Sequence, residues 1–297
     1  MVKNVICFGE VLWDIFPEGE KIGGAPLNVA LRLNSLGIST NIVSRVGKDS
    51  LGKRLTDYLQ EQGLSTSYLQ EDHTFETGKV LVSLDATGSA SYEIAQPVAW
   101  DKITCTPSLE KGVENSDIFL YGSLIARELV ARESLMKLLK KASFKVFDVN
   151  LRAPHYTQSL LEELMQEADF IKFNDEELLE ISTAMGCKDT TMEGQLRFIA
   201  SHTQTTQICV TKGGDGALLL LDDCIYDQAG FRVKVADTVG AGDSFLATLL
   251  EGLLTERTPN EALKRACAMG AIVASKQGAN PSITEEELDL FIATAAK

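Results

Sequence analysis

From residue 117 onward the chain repeats one unit, and that repetition limits its fold more than any other feature. Ile118 to Tyr121, Phe144 to Val149, Phe170 to Phe173 and Gln207 to Thr211 are short apolar runs that end in glycine or polar residues. Stretches of helical spacing, such as Ala126 to Lys141, stand between them. A strand that is apolar at successive positions is buried on both faces, as in a parallel sheet covered by helices. Val2 to Phe8, ending at Gly9-Glu10, and Thr40 to Val46 read the same way. The expectation is an α/β chain with a doubly wound, mostly parallel sheet flanked by helices. A length of 297 residues admits one large domain or two smaller ones. With no repeated sequence segment and no low-complexity linker, 1–297 is read as a single domain.

One region breaks the rhythm. Lys79 to Leu84 and Ser89 to Ile94 flank Asp85-Ala86-Thr87-Gly88, a hairpin signal with glycine at the turn end. Such a hairpin either projects from the main sheet or forms an ordinary edge.

Composition excludes several classes. A net charge of −14 argues against nucleic acid or an acidic membrane as partner, since both need a basic face. An anionic substrate would therefore need local positive charge. No segment reads as a signal peptide or a membrane span. Cys7, Cys105, Cys187, Cys209, Cys224 and Cys267 are scattered, with no Cys-x-x-Cys pair, which points to thiols in a reducing cytoplasm. The histidines show no zinc spacing.

The densest chemistry lies at Asp237-Thr238-Val239-Gly240-Ala241-Gly242-Asp243-Ser244-Phe245. It follows a strand-like run, Phe231 to Ala236, and opens a helix in which Phe245, Leu246, Leu249, Leu250, Leu253 and Leu254 recur at helical spacing. Gly240 and Gly242 permit a sharp turn and close approach to the main chain. The first N–H groups of a helix lack internal partners and favour negative charge. A carboxylate planted there, Asp243, is either a cap or a general base whose ionised form those N–H groups stabilise.

Other motifs carry a second reading beside a structural one. Asp14, in Trp13-Asp14-Ile15-Phe16, is a structural residue or a reader of hydroxyls. Gly23-Gly24-Ala25-Pro26-Leu27-Asn28 opens a helix and places the Asn28 amide in its first turns. Gly47-Lys48-Asp49-Ser50-Leu51-Gly52-Lys53-Arg54 mimics a P-loop but has Arg54 where a magnesium-binding Ser or Thr is needed. Asp49 is better read there as a helix N-cap. Asp148-Val149-Asn150-Leu151-Arg152 sits just past a strand end, where open α/β sheets bind ligands, and Arg152 could pair with phosphate or sugar. Asn174 and Glu177 form a capping box, as do Thr258 and Glu261. Lys212-Gly213-Gly214-Asp215-Gly216 is a tight loop before a strand from Ala217 to Leu221. The helix after Thr258 is expected to run to about Lys276, and its Ala271 and Ala274 suit either close helix packing or a flat ring. No Gly-x-Gly-x-x-Gly follows the first strand, which excludes a dinucleotide-binding dehydrogenase.

Together, Gly23-Gly24-Ala25-Pro26-x-Asn28 and Asp237-Thr238-x-Gly240-Ala241-Gly242-Asp243 resemble the signatures of the ribokinase-like (PfkB-type) carbohydrate kinases, nearest the fructokinase branch. The resemblance covers essentially the whole chain. It implies transfer of the γ-phosphoryl group of ATP to a sugar, fructose first, with ribose, 2-keto-3-deoxygluconate or a nucleoside as alternatives. A sugar sensor without catalysis is the other alternative. It implies Asp243 as base, with Gly240, Ala241 and Gly242 as the anion hole. Asp14, Gly23, Gly24, Asn28 and Arg152 would hold the sugar. ATP would lie along Asn174, Thr211, Gly213, Gly214, Gly240, Gly242, Ala271 and Ala274. Glu177 would orient magnesium through water. The loop Gly278-Ala279-Asn280-Pro281-Ser282 would help Asp237, Val239, Gly278 and Ser282 hold potassium. Residues 12–18 and 75–98 would form a small β lid that serves as a homodimer interface.

Overall fold

A computed structural model describes residues 3–16, 19–84 and 90–295. Strand β1 (Asn4–Phe8) is buried from Val5 to Phe8, and β2 (Leu12–Phe16) pairs antiparallel with β3 (Gly19–Gly23). Gly23-Gly24 then feeds α1 (Ala25–Ser35), which is followed by β4 (Ser39–Gly47), α2 (Ser50–Glu61) and β5 (Ser65–Asp72). Strands β6 (Gly78–Leu84) and β7 (Ala90–Ile94) form an antiparallel pair. The turn expected at Asp85-Ala86-Thr87-Gly88 lies outside the described residues, as do 17 and 18. The alternating part follows: α3 (Pro107–Glu114), β8 (Ile118–Gly122), α4 (Leu129–Leu139), β9 (Lys145–Asp148), α5 (Gln158–Gln166) and β10 (Phe170–Asn174). After α6 (Asp175–Ala184) and α7 (Met192–Thr203) come β11 (Gln207–Thr211), β12 (Gly216–Leu221) and β13 (Cys224–Ala229). Helices α8 (Ala241–Leu254), α9 (Pro259–Ala274) and α10 (Glu285–Ala295) end the chain.

Among the described residues the strands form a nine-stranded sheet, β13-β12-β11-β10-β9-β8-β1-β4-β5, and a four-stranded sheet, β3-β2-β6-β7. The large sheet is parallel except for β12, which pairs antiparallel with both β11 and β13. Strand order reverses at β1, which lies between β8 and β4, so a crevice opens at the carboxyl end of β1.

Side chains alternate across a strand, and β1 shows both faces buried. Ile6 and Phe8 pack with Phe119, Tyr121 and Phe147 under α3 to α7, where the Tyr121 and Phe147 rings stack at 5.1 Å. Val5 and Cys7 pack on the other face with Leu33 of α1, Leu55 of α2, Phe245 and Leu249 of α8, and Leu263 of α9. Each such side chain contributes roughly 1.5–3 kcal/mol on burial, so this second core fixes α1 and α8 side by side above the crevice. All six cysteines are free.

Two expectations are corrected. Phe231 to Ala236 is not a strand: Ala236 N–H and Asp237 N–H both donate to the Ala274 carbonyl, tying the segment to the end of α9 instead of to a sheet. That helix stops at Ala274, short of Lys276. Sequence patterning does not mark β2, β3, β5 and β13, of which the last three are sheet edges. Edge strands keep one side in solvent, so their sequences carry no continuous apolar run.

Candidate active site

The approach of β10, α1 and α8 at the crevice builds the site. Gly240 caps α8 with φ 75°, a left-handed conformation that favours glycine, and a Cβ there would lie 2.5 Å from the Ala279 carbonyl oxygen. Ala241 N–H donates to Thr238 at 3.2 Å and Ser244 N–H to Gly240 at 2.9 Å. Between them, the N–H groups of Gly242 and Asp243 have no partner among the described residues. The Lys172 ammonium stands 3.6 Å from the position a Gly242 Cβ would take, so a cation and a helix N-terminus converge on one point. Lys172 is buried and bonds Asp148 Oδ1 at 3.0 Å. Burial works against its charge, but Asp148, Glu177 and Asp243 outweigh that and hold its pKa above the ordinary lysine value.

Asp243 responds to this setting in the opposite sense from the sequence expectation. Its carboxyl is pushed up to about 6, first by burial and then by Asp148. Donation from Asn28 Nδ2 to Oδ2 at 2.8 Å, with Lys172 and Arg152, only partly offsets the rise. Loss of water solvation therefore exceeds the help from the helix terminus. A carboxylate with a pKa near 6 is ionised at neutral pH yet basic enough to accept a proton.

Of the predicted sugar residues, Asn28 meets Asp243 directly, while Asp14, Gly23 and Gly24 lie on β2, at the end of β3 and at the start of α1. Asp14 on β2 lies over Gly23, where a Cβ would come within 2.5 Å of its Oδ2. Gly24 caps α1 at φ 117°, and a Cβ there would stand 2.4 Å from the Glu10 carbonyl oxygen. Burial raises the Asp14 pKa, against Arg152 and Lys21. Arg152 is exposed and donates to the Leu151 carbonyl at 2.8 Å, and its charge lowers the pKa of Glu10, Asp14 and Asp243 without an ion pair to any of them. Asn28 is more committed than its sequence indicates: besides donating to Asp243, its Oδ1 accepts from Asn280 Nδ2 at 2.7 Å.

Two residues here escape sequence reasoning. Glu10 is buried, its Oε1 accepts from Ala25 N–H at 3.3 Å, and burial pushes its carboxyl up to about 7. With Asp148 and Asn150 it lines a cavity of about 10 Å³, room for one water-sized group. Lys172 has a usable signal, a lysine inside the otherwise apolar run Phe170-Ile171-Lys172-Phe173.

Besides Gly240 and Gly242, the predicted nucleotide residues lie at the ends of β10 and β11, in the loop after β11 and on α9. Asn174 and Thr211 are register partners at the ends of β10 and β11. Nothing lies within 4 Å of a Cβ built on Gly213 or Gly214, so their loop borders open space. Ala271 and Ala274 are half-buried on α9, which packs against α8, and the Ala274 carbonyl already accepts from Ala236 and Asp237. The Asn174–Glu177 capping box is formed. Glu177 Oε2 accepts from Asn174 N–H at 2.8 Å and Oε1 from Leu151 N–H at 2.9 Å, leaving one further lone pair on each oxygen. No group of three or more His, Cys, Asp or Glu among the described residues is placed to hold a metal, so phosphate oxygens and water would have to supply most ligands of a bound magnesium ion.

Of the residues assigned to a monovalent cation, three are brought together. Asp237 accepts from Val239 N–H through Oδ1 and from Gly278 N–H through Oδ2, each at 3.1 Å. The Ser282 carbonyl instead accepts from the Lys276 ammonium at 3.3 Å. Asp49 caps α2 by accepting from Gly52 N–H at 2.8 Å, which agrees with rejecting a P-loop there.

The pattern of the pfkB family carbohydrate kinases matches residues 6–286. A probable fructokinase-7 of Arabidopsis thaliana is 30% identical over 308 residues, spanning 94% of this chain and 89% of that protein. An uncharacterised sugar kinase of Pyrococcus horikoshii, solved in complex with ATP, superposes with a TM-score of 0.82 at 27% identity, covering 99% of this chain and all of that one. A fructokinase of Xylella fastidiosa with bound ATP has a TM-score of 0.86 at 23% identity over the full length of both chains, a likeness of fold. No helix among the described residues is long and apolar enough to cross a membrane.

Proposed function

The chain belongs to the pfkB family of carbohydrate kinases, and on that premise we propose that it transfers the γ-phosphoryl group of ATP to a hydroxyl of fructose. The observation that carries this reading is the position of Asp243, between free helix N–H groups, the Lys172 ammonium and the Asn28 amide. The relatives named as fructokinases and the ATP bound in similar structures support the choice of substrates.

Asp14, Asn28 and Arg152 hold the sugar against the Gly23-Gly24 turn, with the attacking hydroxyl toward Asp243. Asp243 takes the hydroxyl proton as the sugar oxygen bonds to the γ-phosphorus. The bond from that phosphorus to the β,γ-bridging oxygen breaks, and ADP leaves with its electron pair. The N–H groups of Gly242 and Asp243 and the Lys172 ammonium stabilise charge on the phosphoryl oxygens during transfer. The loop at Thr211, Gly213 and Gly214, with Ala271 and Ala274 of α9, takes the nucleotide. Magnesium, when bound, neutralises phosphate charge, and Glu177 and Asn174 would orient its water. Asp237, Val239 and Gly278 would hold a potassium ion, with Ser282 joining once Lys276 releases its carbonyl. The whole chain acts as one kinase domain in which the four-stranded sheet is a lid and the surface for a second copy. We place the protein in the cytoplasm, without nucleic-acid or membrane partners, in line with its charge of −14.

ADP release with magnesium-ATP across fructose, ribose, 2-keto-3-deoxygluconate and nucleosides tests the reading. Fructose should give the highest kcat/KM. A different preferred acceptor replaces fructose, and binding of sugar without turnover makes the protein a sensor.

A further inference from the structure

We propose that Asn280 is a positioning residue that fixes which end of the Asn28 amide meets Asp243, so that the loop between α9 and α10 controls the orientation of the base. The role in turnover rests on the kinase reading above; the contacts do not.

An amide has a donating and an accepting end, and Asn28 uses both. Its Nδ2 donates to Asp243 Oδ2 at 2.8 Å, and its Oδ1 accepts from Asn280 Nδ2 at 2.7 Å. Turning this amide over would set its oxygen against the carboxylate and its NH2 against that of Asn280. Two hydrogen bonds would become two like-pole contacts, so the donating orientation is favoured from both sides, by the acceptor-only Asp243 carboxylate and by the Asn280 NH2. Asn280 is itself held at a cost, since its buried Oδ1 has no partner.

The loop cannot drift from this register, because a second link runs beside the first. Arg32 lies four residues after Asn28, on the same face of α1. Its Nε donates to Ser244 Oγ at 3.2 Å and its Nη2 to the Pro281 carbonyl at 2.9 Å. Asn28 thus joins Asp243 to Asn280, and Arg32 joins Ser244 to Pro281, the next residue in each case. Asp237 pins the other end of the loop through Gly278 N–H at 3.1 Å. Arg32 is 2% exposed and has no carboxylate partner among the described residues. A buried guanidinium satisfied by neutral oxygens is expensive to keep, which marks the clamp as more than packing.

The charged groups facing Asp243 are Glu10 after β1, Asp148 on β9, Arg152 after β9 and Lys172 on β10. None of them bonds Asn280, so a substitution there removes no bond of theirs. Asn280→Leu, similar in shape but without a donor, frees the Asn28 amide to turn. Steady-state kinetics should then show kcat down about ten-fold, the worth of one hydrogen bond, with a larger loss at pH 6 than at pH 8 and KM for ATP unchanged. Asn280→Gln, which restores a donor, should recover much of the loss. Asn280→Ala replaces the leucine variant if that chain does not fold. Independently of turnover, the Asp243 carboxyl carbon, followed by carbon-13 NMR, should titrate at higher pH in the Leu or Ala variant than in the parent. An unmoved titration, with an unmoved acid limb of kcat, overturns the proposal. A parent that turns over no sugar, yet shows the shifted titration, overturns the kinase reading and leaves the positioning role in place.

Discussion

Replacing Asp243 by Asn should make the protein more stable and nearly inactive at once. The Asp243 carboxyl is pushed from 3.8 to about 6 by burial and by Asp148. That rise of about 2 units corresponds to roughly 3 kcal/mol at about 1.4 kcal/mol per unit, and solvent at this half-buried position screens it to about 1–2 kcal/mol. The sign follows from proton binding. With its pKa raised, the folded chain holds the proton more tightly than the unfolded chain. The stability this contributes is complete below 3.8 and is lost as pH rises through about 6. Above that pH the ionised group is a burden, which Asp243→Asn removes while its side-chain oxygen still accepts from Asn28. Thermal melts at pH 8 should rise by about 2–6 °C for this gain, and the gain should shrink at pH 5. Over the same variant kcat should fall about 10²- to 10⁴-fold with both substrates still bound, because no group remains to take the proton. A lowered melting temperature at pH 8 would refute the electrostatic reasoning, and near-parent kcat would refute the base.

Other perturbations separate the remaining parts of the site. Lys172→Met strands the buried Asp148 carboxylate, so urea unfolding should show a loss of about 3–5 kcal/mol, together with a reduced kcat/KM for ATP. Asp14→Ala leaves sugar hydroxyls unpaired and should weaken fructose binding by about 1–3 kcal/mol by calorimetry, with little change in nucleotide binding; an unchanged fructose KM makes Asp14 structural. Replacing potassium and sodium by a large organic cation should lower kcat, and equal activity in both salts would remove the cation from Asp237, Val239 and Gly278.

The site divides by how its parts are encoded. Gly240, Ala241, Gly242 and Asp243 are contiguous, so turn, helix start and carboxylate are visible in one stretch of sequence. The Asn174–Glu177 box is equally local, and the structure forms it. The central strands announce themselves because burial on both faces demands unbroken apolar runs. The edges β3, β5 and β13 do not, since none of them is buried along its length. Contacts between distant residues leave no local trace: Lys172 meets Asp148 across 24 positions, Asn28 meets Asp243 across 215, and Asn280 meets Asn28 across 252. The direction of the Asp243 shift was hidden for the same reason. A helix terminus is legible from sequence, whereas the desolvation by surrounding elements that overrides it is a property of the assembled fold.

The central claim is that Asp243 and the α8 N-terminus move a phosphoryl group from ATP onto a sugar hydroxyl. Phosphorus-31 NMR of the protein with magnesium-ATP and fructose measures that directly. One phosphomonoester coupled to sugar protons should grow in step with ADP, absent without fructose and slowed about 10²-fold or more by Asp243→Asn. ADP and inorganic phosphate forming at the same rate with and without sugar would contradict the account.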